Sequence, residues 1–209
     1  MVGLKGKTAC ISRNGRGGLG GALRQLLIRE GVQIIEDSEY PPAVDFAICT
    51  TGRMIIRDAG MVEEKVLDDL YLANYRFPRL FTERHVAAMR VGGKGGLILH
   101  LGSNSAKYGA PGVEDYSAFK AALWKYVELR GRSVRQAGIR LCVLNLGAVD
   151  TGFWEKVKLD ADPQLSASII PDPEKALSPQ EVASSVLAIL SLPERITIKD
   201  ALMVSVDYQ

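Results

Sequence analysis

The sequence predicts an α/β fold on a mainly parallel sheet, and three observations carry that prediction. Short apolar runs alternate with helix-like segments from end to end. The first of these runs leads through a glycine-rich turn into a helix. No fixed-period repeat or low-complexity linker interrupts the alternation, so the 209 residues read as one domain over 1–209.

The elements follow in order. The first strand is Lys7-Thr8-Ala9-Cys10-Ile11-Ser12. The next helix runs from about Leu19 to Glu30, with Leu19, Leu23, Leu26 and Leu27 on one face and Gly31 as its stop. Val32-Gln33-Ile34-Ile35 and Phe46-Ala47-Ile48-Cys49 are short strands. A helix is expected over 62–90, broken near Pro78. Leu97–Leu101 is a strand, 116–137 a long helix ended by Gly138, and Arg140–Leu144 another strand. Ser178-Pro179-Gln180-Glu181 opens a helix with a capping box. Leu202–Val206 closes the sheet.

Composition excludes several classes. With 47% hydrophobic and 24% charged residues, the chain is not disordered. Cys10, Cys49 and Cys142 each lie within an apolar run, so they read as buried thiols in a reducing, cytoplasmic setting. No run of eighteen apolar residues predicts a membrane span, and the start MVGLKGKTAC lacks a long apolar leader. A net charge of +2 calls for neither nucleic acid nor an anionic membrane. His85 and His100 have no metal-ligand company, so no metal is expected.

Two local patterns carry chemistry. Ser12-Arg13-Asn14-Gly15-Arg16-Gly17-Gly18-Leu19-Gly20 joins strand to helix, where missing side chains and free helix amides suit a pyrophosphate. Tyr116 and Lys120 stand at i and i+4, hence on one helix face, and a cation one turn from a phenol favours its ionised form. Ser103 follows an apolar strand, where a parallel sheet opens onto its ligand crevice. Asn74 sits mid-helix, a position asparagine seldom takes without a polar task.

Taken together, these residues resemble the short-chain dehydrogenase/reductase family over the whole chain. Gly18-Leu19-Gly20 matches the end of its cofactor turn. Asn74, Ser103, Tyr116 and Lys120 match its catalytic asparagine, serine, tyrosine and lysine. Asn145–Gly152 resembles its nicotinamide-holding segment, with Thr151 as the threonine. The resemblance implies a Rossmann-like, doubly wound parallel sheet with helices on both faces. It implies an NAD(P)-dependent oxidoreductase that interconverts a carbonyl and a secondary alcohol, with Tyr116 as acid/base. The implied cofactor residues are Ser12, Arg13, Asn14, Arg16, Gly18, Leu19 and Gly20, then Asp37, Thr50, Thr51 and Gly52. Tyr116, Lys120, Gly147, Val149 and Thr151 complete them. A small-molecule carbonyl or alcohol is the implied substrate, and a homodimer or homotetramer, through the helices 62–90 and 116–137, the implied assembly. Tyr108, Phe153 and Trp154 are placed to line a substrate pocket or to pack in the core or a dimer contact, and 154–175 resembles the family's substrate lid.

The chain departs from the pattern in three places. Arg13-Asn14 replaces the family's Thr-Gly, and Arg13 and Arg16 lean the cofactor towards NADP, while Asp37 leans towards NAD. Cys49-Thr50-Thr51-Gly52 keeps only the glycine of an Asn-Asn-Ala-Gly segment. A helix–strand–helix block is missing, leaving about seven residues, Asp37 to Ala43, between two strands. An extended link of that length reaches about 27 Å, and crossing one strand needs about 20 Å. The expected sheet has six strands in order 2-1-4-5-6-7, in the family's numbering, with the adenine pocket short of one wall. These departures keep two alternatives in view: a cofactor-binding pseudoenzyme, and a non-redox lyase or isomerase on the same fold.

Overall fold

Side chains alternate across every strand, and here both faces of the sheet are apolar. In β1 (Thr8–Ile11), Ala9 and Ile11 enter one core and Cys10 the other. β2 (Gln33–Ile35), β3 (Phe46–Cys49), β4 (Gly96–Ser103), β5 (Ile139–Leu146) and β6 (Asp200–Met203) complete the sheet. The structure, a computed structural model, describes residues 3–58, 60, 62–159 and 163–207. All neighbouring strands are parallel, in the order β2-β1-β3-β4-β5-β6. That is the expected six-strand order with the family's third strand absent.

Helices cover both faces. α1 (Gly18–Arg29) and α7 (Pro179–Leu190) bury Leu23, Leu27, Val182 and Val186 on one. Ser178 caps α7 and exchanges hydrogen bonds with Glu181, the capping box read from sequence. On the opposite face, α2 (Glu64–Tyr71) continues into α3 (Phe77–Gly92), which packs beside α4 (Glu114–Val134). Phe81, Val86, Met89, Leu123 and Val127 fill that core.

Three expectations about elements need correction. The helix is not broken at Pro78: it runs on, with one widened turn at Leu72–Arg76 in which the Phe77 N–H donates to the Leu72 carbonyl, five residues back. Proline lacks a donor and crowds the preceding turn, and a turn of wider pitch just ahead of it relieves that clash. The last strand lies at Asp200–Met203 rather than 202–206, because its partner β5 ends at Leu146 and the pairing stops there. Val206 runs past the sheet into solvent, 89% exposed. β4 reaches Ser103 and β5 reaches Leu146, both beyond their apolar runs, because the two strands pair along their whole length.

The link between β2 and β3, residues 36–45, holds neither helix nor strand. It runs against the α3 side of the sheet, where Val44 is buried in that core. Arg84 of α3 donates to the Ser38 carbonyl at 3.2 Å. At the end of α3, a side chain on Gly92 would meet the Ala43 Cβ at 2.6 Å, so glycine permits the close approach.

Candidate active site

A parallel sheet ends all its strands at one side, and a cleft of about 650 Å³ opens there. Its first wall is the turn from β1 to α1. Arg13, Asn14 and Gly15 adopt left-handed φ values of 53°, 61° and 57°. Such a backbone costs a non-glycine residue roughly 1–2 kcal/mol. A polar clasp offsets it. The Arg13 N–H donates to Asp37 Oδ2 at 2.8 Å, and the Asp37 N–H donates to Asn14 Oδ1 at 2.6 Å. The Arg84 guanidinium lies 3.9 Å from the same carboxylate, and Arg13 and Arg84 both stack on the Phe77 ring. Asp37 is therefore turned inward, its side chain 9% exposed.

Gly15 has no room for a side chain, since its Cβ would stand 2.7 Å from the Gly20 carbonyl oxygen. No side chain caps α1, so the amides of its first turn, at Gly18 to Gly20, remain available to an anion at the cleft. Ser12 Oγ accepts the Thr50 N–H at 2.9 Å and ties the ends of β1 and β3 together. Thr51 Oγ1 lies 3.3 Å from Cys49 Sγ, whose thiol burial pushes up.

The second wall comes from β4 and α4. Ser103 ends β4, and its Oγ accepts the Ser105 N–H at 3.1 Å and donates to Asn104 Oδ1 at 3.4 Å. Tyr116 and Lys120 stand one turn apart on α4, both buried. Lys120 Nζ lies 5.7 Å from the Tyr116 ring centre and donates to the Leu101 carbonyl at 3.5 Å. Gly52 presses on this pair: a Cβ there would meet Lys120 Nζ at 3.1 Å and Asn74 Oδ1 at 3.4 Å. Asn74 occupies the widened turn and holds the chain of Arg53, accepting its N–H at 3.1 Å and donating to its carbonyl at 2.6 Å.

Below them, His100 Nε2 lies 2.8 Å from Thr82 Oγ1, and burial, aided by the Lys120 charge, pushes the imidazole down to about 3.

The third wall follows β5. Gly147 donates its N–H to Met203, and Val149, Thr151 and Gly152 continue along the cleft. The Trp154 indole N–H donates to the Val149 carbonyl at 3.1 Å and meets Phe153 edge-on at 5.5 Å. Both belong to the first turn of α5 (Phe153–Leu159). α6 (Pro163–Ile169) brings Leu165 and Ile169 against Gly112.

The cleft collects Ser12, Arg13, Arg16, Gly18, Leu19, Gly20, Thr50, Thr51, Gly52, Ser103, Tyr116, Lys120, Gly147, Val149 and Thr151. Asn14, Asp37 and Asn74 do not line it and stand behind it. Sequence reasoning missed Met54, Ser105, Val113, Lys156 and Ile169, which also line it. Met54 and Val113 read as ordinary core residues, and nothing in the period of a short helix says which side of it meets a cleft. Among the described residues, no group of histidine, cysteine and acidic side chains could hold a metal ion, and no helix is long and apolar enough to cross a membrane.

A family model described as short chain dehydrogenase matches residues 37–162, more than half of the chain. The chain belongs to the short-chain dehydrogenase family. Sorbitol dehydrogenase of Cereibacter sphaeroides is 24% identical over 192 residues, covering 74% of this chain and 75% of that one. A 3-ketoacyl-(acyl-carrier-protein) reductase from Brucella melitensis, solved with NADH, superposes with a TM-score of 0.76 at 19% identity, over 95% of this chain and 98% of that one. The closed form of a serine dehydrogenase with NADP+ gives 0.78 at 16% identity, over 97% and 96%. At these identities the structural likeness is one of fold. Within the short-chain dehydrogenase fold, this member keeps the strand order on either side of the gap and closes it with an irregular link.

Proposed function

We propose that residues 1–209 act as one NAD(P)-dependent oxidoreductase domain that interconverts a carbonyl and a secondary alcohol. The observation that carries this reading is the meeting of Ser103, Tyr116 and Lys120 in the cleft that the uncapped start of α1 also faces. The residues present fit a dinucleotide. The first amides of α1 and the bare surfaces of Gly17 and Gly18, where an added Cβ would meet nothing within 4 Å, suit a pyrophosphate. Gly147, Val149 and Thr151 would hold the nicotinamide, which supplies or accepts the hydride.

Ser103 donates to the substrate oxygen and fixes the carbonyl beside Tyr116. In reduction, Tyr116 gives its phenolic proton to that oxygen as the carbon receives hydride, and in oxidation it takes the proton back. The Lys120 ammonium stabilises the negative charge that develops on the tyrosine oxygen. Asn74 keeps the Arg53 segment, and with it Gly52, packed against Lys120. Arg16 lies at the cleft with no ion pair among the described residues, which supports NADP over NAD. Asp37, spent on the Arg13 amide, makes a poor reader of a ribose hydroxyl, which supports the same preference.

Leu72, Leu80 and Leu129 are 40–52% exposed on the α2–α3 helix and on α4, which supports a homo-oligomer formed through these helices. Sedimentation tests it, and a monomer at micromolar concentration refutes it. The free, buried cysteines suit a reducing, cytoplasmic setting.

Fluorescence titration with NADPH and NADH tests the main reading. NADPH binds more tightly, and Tyr116→Phe abolishes turnover of a carbonyl panel while cofactor affinity persists. Failure of both cofactors to bind below millimolar concentration removes the oxidoreductase reading, and full turnover by the variant removes the proton role.

A further inference from the structure

The charges that the described residues bring to the cleft are all of one sign. Among the described residues they are Arg13, Arg16, Lys120 and Lys156, with no aspartate or glutamate. Three have a place in the reading above, at the phosphate turn or behind Tyr116. Lys156 has none. It lies on α5, next to buried Val157 and two residues after Trp154. Some surface lysines find acids, as Lys107 finds Asp200 and Lys125 finds Glu128, while Lys5, Lys65 and Lys94 have no ion pair among the described residues. Lys156 likewise forms no ion pair among the described residues, although Glu155 precedes it in the chain, and what sets it apart is its place in the cleft lining.

Val157, the neighbour of Lys156, belongs to an apolar cluster with Val113, Phe153, Trp154 and Ile169, and Ser105 and Ser168 line the same cleft. The Val149 carbonyl fixes the Trp154 indole in place. A cleft of one sign with low-dielectric walls focuses its field and concentrates the opposite charge. One cation balances one negative charge, which matches a carboxylate better than a phosphate ester carrying nearly two.

Resting on the carbonyl–alcohol reading, we infer that the substrate is a carbonyl compound with an apolar or aromatic body and a carboxylate, and that Lys156 pairs with the carboxylate. The lysine acts in binding, and hydride and proton transfer stay with the cofactor and Tyr116.

The test offers aromatic keto acids and their methyl esters to the full chain with NADPH. It compares wild type with Lys156→Ala, Lys156→Glu and Lys156→Arg. Wild type prefers acid to ester in kcat/KM by about tenfold or more. Lys156→Ala erodes that ratio through KM, Lys156→Glu inverts it, and Lys156→Arg restores most of it. Equal use of acid and ester by wild type, or a ratio unmoved in Lys156→Glu, overturns the inference. Protection against thermal unfolding by acid or ester, with cofactor present, reads binding without turnover. If nothing turns over but the acid protects wild type and not Lys156→Glu, the anion site stands and the oxidoreductase reading falls. If the acid neither turns over nor protects, the anion site falls as well.

Discussion

Both halves of this molecule pack through apolar faces, but only one of them adds a polar clasp. In the half proposed to be catalytic, β4, β5 and α4 pack through continuous apolar faces, Ser103 ends β4, and Tyr116 and Lys120 lie in the first two turns of α4. In the half proposed to hold the cofactor, where the family's helix–strand–helix block is absent, a polar clasp is added to the packing of α1 on the sheet. Asp37 grips the Arg13 amide, Asn14 grips the Asp37 amide, and Arg84 and Phe77 bind both to α3. Apolar packing is spread over many side chains and tolerates small losses, whereas a clasp rests on one carboxylate. The shortened half has kept its turn geometry by concentrating the restraint on a few residues.

Removing the chemistry from the catalytic half gives the largest effect. Tyr116→Phe lowers kcat by about 10²–10⁴-fold with the fold and cofactor binding retained, as steady-state rates and fluorescence titration will show. Gly52→Ala comes next, because its Cβ displaces the Lys120 ammonium from 3.1 Å. Misplacement of about 1 Å at such a site costs up to roughly 10²-fold. Lysine is flexible, so the melting temperature stays close to wild type. A large drop in stability with unchanged kcat would instead make Gly52 a packing residue.

The clasp is broken by Asp37→Ala, which leaves the Arg13 amide without its partner and costs about 1–3 kcal/mol in urea unfolding. Dinucleotide affinity falls with it because the turn loosens. If stability and affinity are both unchanged, the clasp does not hold the cofactor half.

A pH experiment separates the halves further. Folded His100 stays neutral down to about pH 3, because burial, the Lys120 charge and His85 all oppose its protonation. In the unfolded chain it takes a proton near its ordinary value of about 6.5. Between those values the unfolded state binds more protons, so stability falls as pH drops through that window, by at most about 1.4 kcal/mol per pH unit. His100→Gln flattens that slope in urea titrations between pH 6.5 and 4. An unaltered slope assigns the acid lability to other groups. The smallest effect lies outside both halves: Ser178→Ala removes the cap of α7 and costs about 1 kcal/mol without changing kcat.

Ser103, Tyr116 and Lys120 were legible in the sequence because their relation is local: the end of one strand, then one turn of one helix. The strand order was legible because the length of the link permits a single crossing. Asp37 was legible as a polar residue near the end of a strand, but not as the anchor of the turn. Its partners lie 24 and 47 positions away, and only folding brings them to one place. The widened turn at Leu72–Arg76 was hidden for a similar reason. Pro78 announces a disturbance in a helix, while the packing of Asn74 on Arg53 decides how the helix absorbs it.

By itself the sequence determined the α/β alternation, the glycine turn, the capping box of α7 and the face shared by Tyr116 and Lys120, because periodicity and backbone freedom act over a few residues. Only the tertiary structure decided that Asp37 turns inward, that Gly52 and Asn74 close on Lys120, and that Lys156 meets the cleft. Those outcomes depend on distances between segments remote in the chain, which the packing of the whole sheet sets.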